Sequence, residues 1–331
     1  MIENRIELLL KLKSYLVDKD DVLIQHIELA ERQNGWFTTE FIHQSIQAII
    51  DQYLNEYELI VFASLLQTAE QKDKQLTIGI VMAGNIPLVG FHDFLCVFLS
   101  GHRMKLKLSS KDTILMRHLI SKLIEWDPNL TDQIEIADML KNCDAYIATG
   151  SNTSANYFEY YFAKYPNIIR KNRTSVGIIT GTETTEELTA LADDVYMYCG
   201  LGCRNITKLY VPKDYDFLPM LTAFRKYDHL KDVNKYRNNL DYNLALYMIN
   251  NQFYMNNDSL LLVENESIFS PVAVLHYEYY TDLHNVLESL RNNQSIQAIV
   301  GQNYIPFGAA QKPTLTDFAD GVNTIEFLNS L

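Results

Sequence analysis

Cys203 closes the run Cys199-Gly200-Leu201-Gly202-Cys203-Arg204-Asn205, which passes directly into Ile206-Thr207-Lys208-Leu209-Tyr210-Val211, a β-branched and aromatic stretch that reads as a strand. Glycines ahead of the thiol permit positive φ and leave space beside the sulfur for a substrate and for backbone N–H donors. An acyl-accepting thiolate needs both. An isolated Gly-x-Cys is otherwise an ordinary turn with an inert core thiol, and the upstream sequence favours chemistry.

Three further segments could serve such a thiol. Val81-Met82-Ala83-Gly84-Asn85-Ile86-Pro87 ends an apolar run: Gly84 permits a sharp exit, Pro87 suits the first turn of a following helix, and Asn85 sits at a strand's carboxyl end. Its amide either holds an oxyanion or forms an Asx turn or helix cap. Arg103, Lys105 and Lys107 alternate with apolar residues, placing three cations on one strand face, either toward phosphate and ribose hydroxyls or as charge on an edge strand. Thr149-Gly150-Ser151 either caps a helix or offers N–H groups to a pyrophosphate. A second basic cluster, Arg170-Lys171-Asn172-Arg173, reads as a surface turn, and His92 on an apolar helix reads as structural. Cys199 and Cys203 lack the further ligands of a metal site, and no Gly-x-Gly-x-x-Gly, P-loop or Gly-x-Ser-x-Gly motif occurs.

The elements that must position these residues follow from periodicity. Apolar residues at helical spacing (Ile6, Leu9, Leu10, Ile42, Ile46, Ile49) predict an N-terminal helical segment over residues 1–74, packing on the first lobe. From Gln75, short β-rich runs alternate with helix-period stretches, which implies βαβ crossovers and largely parallel sheets. The fold class is α/β, with two lobes, a cleft between them, and the N-terminal helices. The first lobe spans 75–180 and the second 181–331, with the last segment returning to the first lobe.

The 331 residues carry 28 basic and 41 acidic side chains, a net charge of −13 that repels a nucleic-acid backbone. Four cysteines without scaffold spacing fit reduced thiols in a cytoplasm. No apolar run reaches the ~20 residues of a bilayer span, so no integral membrane contact is expected.

The order Asn85-Ile86-Pro87, Lys107, Thr149-Gly150-Ser151, Gly200-Leu201-Gly202-Cys203 and Ile268-Phe269-Ser270-Pro271-Val272 resembles the aldehyde dehydrogenase superfamily. It resembles the LuxC-type acyl-CoA reductase branch more closely, as do Pro306-Phe307-Gly308, Gln311-Lys312-Pro313 and Phe318 through Thr324. The resemblance implies an aldehyde-dehydrogenase-like fold of two Rossmann-like lobes, the first (75–180) binding the nucleotide and the second (181–331) catalytic, with Cys203 as nucleophile, Asn85 and the Cys203 N–H as the oxyanion hole, and Lys107 on the adenosine ribose or its phosphate. Thr149, Gly150 and Ser151 would line the cofactor cleft, Glu266 or Ser267 would meet the nicotinamide ribose, and Phe269 would be a further cofactor contact. Ser110 and Lys111 follow Lys107 with no carboxylate in Ser109-Ser110-Lys111 to repel a 2′-phosphate, so NADPH is expected ahead of NADH.

Where aldehyde dehydrogenases carry Glu-Leu-Gly-Gly-Lys-Ser-Pro, this chain has Ile169-Arg170-Lys171-Asn172-Arg173-Thr174-Ser175 and lacks the water-activating glutamate. The expected reaction is therefore NAD(P)H-dependent reduction of an acyl-CoA or acyl-carrier-protein thioester to an aldehyde, with an oligomer or acyl-transferring partner as further associations. The competing expectations are an acyl-carrying transferase without hydride transfer and a noncatalytic nucleotide-binding subunit of the same fold.

Overall fold

The computed structural model describes residues 2–72, 74–291 and 293–331. They form two compact units, Met1–Asn172 with Pro313–Leu331, and Arg173–Lys312.

In the first unit, helices α1 (Ile2–Asp18), α2 (Asp21–Gln33), α3 (Thr39–Ala48) and α4 (Glu56–Ser64) precede the sheet. The side chains of Asp20, Thr38 and Asn55 accept N–H groups at the starts of α2, α3 and α4, satisfying donors that a helix cannot satisfy internally. The inward stripe of α1 (Leu8, Leu9, Leu12, Leu16) belongs to the same hydrophobic core as Ile78, Ile80, Leu95, Leu106 and Ile120. The helical segment is thus part of the lobe it packs on.

Strands β1 (Thr77–Val81), β2 (Arg103–Lys107), β3 (Ile134–Ile136), β4 (Ala145–Thr149) and β5 (Asn167–Arg170) form a parallel sheet in the order β3-β2-β1-β4-β5. Between them run α5 (Phe91–Ser100), α6 (Ile114–Trp126) and α7 (Asn152–Phe162). The strand order reverses beside β1, so the carboxyl ends of β1, β2 and β4 border a topological switch point, where open α/β sheets bind ligands.

The second unit holds β6 (Thr174–Ile178), α8 (Thr185–Tyr196), β7 (Ile206–Pro212), α9 (Leu218–Ala223), α10 (Asn234–Ile249), β8 (Met255–Asn256), β9 (Leu261–Glu264), β10 (Val274–Tyr280), α11 (Leu283–Arg291) and β11 (Ile296–Val300). Its sheet has the order β11-β6-β7-β10-β9-β8, parallel except for β8 against β9.

The structure moves the expected seam. β6 pairs with β7 and β11, so the division falls after Asn172 and ahead of Thr180. The terminal helix α12 (Thr324–Ser330) lies with the first unit, placing Ile325 and Leu328 in its core.

Arg170 is not a surface-turn residue. The alternation of β5 turns it inward, where it is 2% exposed. Its guanidinium donates to Asp93 (2.5 Å) and Thr324 Oγ1 (2.9 Å), because a buried cation needs a counter-charge. Lys171 turns outward to Glu159. His92 is structural as expected, bound to the Leu315 carbonyl and packed beside Tyr53 and Phe318. Among the described residues, no helix is long and apolar enough to cross a membrane.

Candidate functional site

Helix α8 opens with a capping box between Thr184 and Glu187 and ends at Tyr196. The chain then passes through three successive left-handed residues, Tyr198 (φ 56°), Cys199 (φ 57°) and Gly200 (φ 73°). Such a run carries strain for non-glycine residues and persists only where the surroundings enforce it.

Asn205 supplies that enforcement. It is fully buried, and its Nδ2 donates to the carbonyls of Asp194 (3.0 Å), Val195 (3.3 Å) and Met197 (2.9 Å), while its Oδ1 accepts the Gly202 N–H (2.8 Å). One amide thus closes the end of α8 and fixes the turn that presents Cys203. The Cys203 carbonyl accepts from Ser175 Oγ (3.1 Å), tying the turn to β6.

Burial separates the two neighbouring thiols. Cys199 is 1% exposed and burial pushes its thiol up to about 12, so it carries almost no thiolate near neutrality. Cys203 is half-buried at the turn's surface.

The Glu266–Phe269 loop is joined to this turn through hydroxyls. Thr207 Oγ1 reaches the Ile268 carbonyl (2.5 Å) and Thr174 Oγ1 (2.5 Å), and Thr174 Oγ1 reaches the Asn205 carbonyl (3.4 Å). Glu266 and Ser267 are exposed and Phe269 is partly so. Pro306-Phe307-Gly308 is anchored to α8, the Asp194 carboxylate accepting the N–H groups of Gly308 (2.6 Å) and Ala310 (3.0 Å).

In the first unit, Asn85, Lys107, Ser110, Lys111 and Thr149–Ser151 gather at the carboxyl ends of β1, β2 and β4. The loops after β1 and β2 touch: a Cβ on Gly84 would lie 2.5 Å from Ser109 Oγ, so only glycine fits. Asp112 bridges them by accepting the Leu88 N–H (2.6 Å). Helices α2 and α3 brace both loops from behind, through Asn34 Nδ2 on the Lys111 carbonyl, Gln33 Nε2 on the Ser110 carbonyl and Ser45 Oγ on the Pro87 carbonyl. Pro87 falls in the turn ahead of α5, because Leu88 takes φ 56° and the helix starts at Phe91.

The expected cationic face is reduced by pairing. Lys105 is bound to Glu135 (3.0 Å), whereas Lys107 is exposed with no ion pair among the described residues. Ser151 caps α7 by accepting the Ser154 N–H, and the Gly150 N–H donates to the Arg170 carbonyl, so both groups are already used within the fold.

Burial pushes the carboxyls of Asp112 and Asp194 up to about 7. Each is raised above its unfolded value of 3.8, so each favours the folded state most below that value. The benefit is lost as pH rises through 7. We expect Asp112→Asn, which keeps an acceptor for Leu88, to remove about 1 kcal/mol of the stability loss between pH 6 and pH 8. Denaturant unfolding of both proteins across that range measures it, and parallel pH profiles would refute it.

Asn205, Asp194 and Asp112 are not evident from local spacing. A visible signal existed for two other buried polar residues: Lys208 and His276 interrupt otherwise apolar strand runs, Leu209-Tyr210-Val211 and Val274-Leu275.

Comparison with known proteins follows the same lines. The family model for acyl-CoA reductase (LuxC) matches residues 17–219. The structure is similar to aldehyde dehydrogenase 21 from Physcomitrella patens in complex with the reaction product succinate, with TM-score 0.69 and 12% identity over 91% of this chain and 74% of that one. It is also similar to the putative aldehyde dehydrogenase PutA from Anabaena variabilis, with TM-score 0.66 and 14% identity over 93% and 75% of the two chains. An NAD+ complex of aldehyde dehydrogenase from Bacillus cereus gives TM-score 0.66 and 14% identity over 91% and 71%. No curated protein matches by sequence. The fold is aldehyde dehydrogenase-like.

Proposed function

Since this chain belongs to the LuxC acyl-CoA reductase family, we propose that it reduces an acyl-CoA or acyl-carrier thioester to the aldehyde through a Cys203 acyl-enzyme, with NADPH as reductant. The observation that carries this is the contrast between a sealed Cys199 and a half-buried Cys203 in a turn held by Asn205.

The Cys203 thiolate attacks the thioester carbonyl carbon, a new C–Sγ bond forms, and the C–S bond to the leaving thiol breaks, that thiol taking up one proton. The Asn85 amide and the Cys203 N–H are the proposed donors to the carbonyl oxygen. A dihydronicotinamide held on the Lys107 side by Ser110 and Lys111 and against Phe269 would supply the hydride that the acyl carbon accepts. Cys203 is then released as the C–Sγ bond breaks and the aldehyde forms. By the resemblance, Ile169 takes the place of the water-activating glutamate of aldehyde dehydrogenases, so Cys203 is expected to keep its acyl group until reduction. Lys208 and Thr207 hold backbone carbonyls of the Glu266–Phe269 loop, the proposed nicotinamide-side surface.

The residues of the first unit fit a phosphate-bearing cofactor. Lys107, Ser110 and Lys111 are exposed, and the one carboxylate of their loop, Asp112, is 4% exposed and turned onto the Leu88 N–H. The rim beside β2 is therefore cationic, which favours NADPH over NADH. On this reading Lys107→Ala raises KM for NADPH ~10-fold, with a smaller change for NADH, because a charge-assisted contact to a phosphate is lost. Steady-state kinetics with both nucleotides decides, and equal changes for the two would reject a phosphate contact.

The reading is tested by intact mass after incubation with a long-chain acyl-CoA without nicotinamide, followed by NADPH. A thioester-labile adduct that NADPH discharges as aldehyde is the expected result. An adduct that NADPH leaves in place would make the protein an acyl-carrying transferase.

A further inference from the structure

Two polar residues lie in the core of the second sheet. Lys208 on β7 and His276 on β10 are register partners, 0% and 4% exposed. A lysine buried in a parallel strand is costly unless its ammonium is paired and hydrogen-bonded. Here Nζ meets the Glu278 carboxylate, lies 4.9 Å over the Tyr210 ring, and donates to the Glu266 carbonyl (2.6 Å). His276 Nδ1 donates to the Ser267 carbonyl (2.9 Å), and burial lowers the pKa of the imidazole, favouring its neutral form. Thr207 Oγ1 takes the Ile268 carbonyl (2.5 Å).

Three side chains from two strands thus hold three successive carbonyls of one loop. The loop's side chains face outward, with Glu266 and Ser267 exposed and Phe269 37% exposed. Further bonds remove its remaining freedom: the Asn265 side chain accepts the Ser267 N–H, Ser267 Oγ closes on the Phe269 backbone, and Asn243 holds the Val272 carbonyl. An exposed aromatic ring on a backbone that cannot yield is preorganised, so a flat partner stacking on it incurs little ordering cost.

We propose that Lys208 and His276, with Thr207, are positioning residues that set the height of the Glu266–Phe269 loop against the nicotinamide and so govern hydride transfer separately from acylation of Cys203. This rests on the reductase reading above. A purely structural clamp would stabilise the sheet and affect both half-reactions together.

The two half-reactions are measured apart on Lys208→Met, His276→Leu and His276→Asn, with thermal melting as the check on folding. Acylation is followed by intact mass with acyl-CoA alone, and hydride transfer by NADPH oxidation on the preformed acyl-enzyme. Lys208→Met and His276→Leu should acylate within ~2-fold of wild type yet transfer hydride ~10-fold more slowly at subsaturating NADPH, the loss falling more on KM than on kcat. His276→Asn, whose amide can reach the Ser267 carbonyl, should restore most of the rate. Loss of both half-reactions together, or of neither, overturns the proposal. If Lys208→Met does not fold, the two His276 variants carry the test. A wild-type protein that acylates but never oxidises NADPH withdraws the reductase reading and the clamp with it. A wild type that does oxidise NADPH, with variants indistinguishable from it, overturns the clamp alone.

Discussion

Cys203→Ala should lose at least ~10³-fold in turnover of an acyl thioester, since removing a nucleophile leaves only binding and oxyanion stabilisation. The same variant should bind NADPH within ~2-fold of wild type, because the proposed cofactor contacts and the nucleophile lie on different elements. Alanine should be tolerated at this position, which is half-buried in a turn held by Asn205 and Ser175 through other atoms. Cys199 cannot substitute: its thiol is sealed and pushed up to about 12. Aldehyde release, NADPH oxidation and intact mass are the measurements. Wild-type turnover by Cys203→Ala would end the acyl-enzyme mechanism, and an adduct remaining on that variant would move the nucleophile elsewhere.

Asn205→Asp should invert the pH dependence of Cys203 reactivity. Ordinarily a thiol reacts faster as pH rises, because the thiolate fraction grows. In this variant the isosteric carboxylate faces three carbonyls, those of Asp194, Val195 and Met197, with no hydrogen to offer them. Only its protonated form can donate. Burial and those carbonyls raise its folded pKa above the unfolded one, so the turn is held best at low pH and loosens as pH rises.

A displaced nucleophile costs ~10²-fold for roughly an ångström. Acylation by Asn205→Asp should therefore fall by about that factor at pH 8 and recover toward pH 6, while wild type shows the opposite slope. Asn205→Ala, which leaves the three carbonyls and the Gly202 N–H without this partner at a fully buried site, should destabilise the fold by about 3 kcal/mol with no such recovery. Iodoacetamide labelling rates against pH, with unfolding curves, test both. A wild-type slope in Asn205→Asp would mean that Asn205 stabilises the end of α8 without governing the thiol.

Much of the architecture was legible because its signals are local. Period-two and helical patterns gave the alternation of strands and helices from Gln75 onward, and the glycines ahead of Cys203 marked the turn that leads into β7. The resemblance placed the family through residues such as Asn85, Lys107 and Phe269, whose order survives in linear sequence. Where the reading and the structure differ, the deciding contact is remote. Arg170 looked like a turn residue beside Lys171 and Arg173, but its partners Asp93 and Thr324 are 77 and 154 positions away. Lys105 looked equivalent to Lys107 until Glu135 paired with it. The seam near Thr180 looked natural until β6 proved to be a central strand of the second sheet.

By itself, then, the chain's sequence determined the α/β class, the family through the order of its motifs, and the glycine-rich turn ahead of Cys203, because each motif is made of residue types within a turn or two of one another. Tertiary structure alone decided which cysteine is sealed, which cations stay unpaired, that Asp112 turns inward, and that Asn205, Lys208 and His276 hold the two loops at the candidate site. The reason is physical: reactivity and charge depend on burial and on hydrogen-bond partners, and those are set by contacts between segments far apart in the chain.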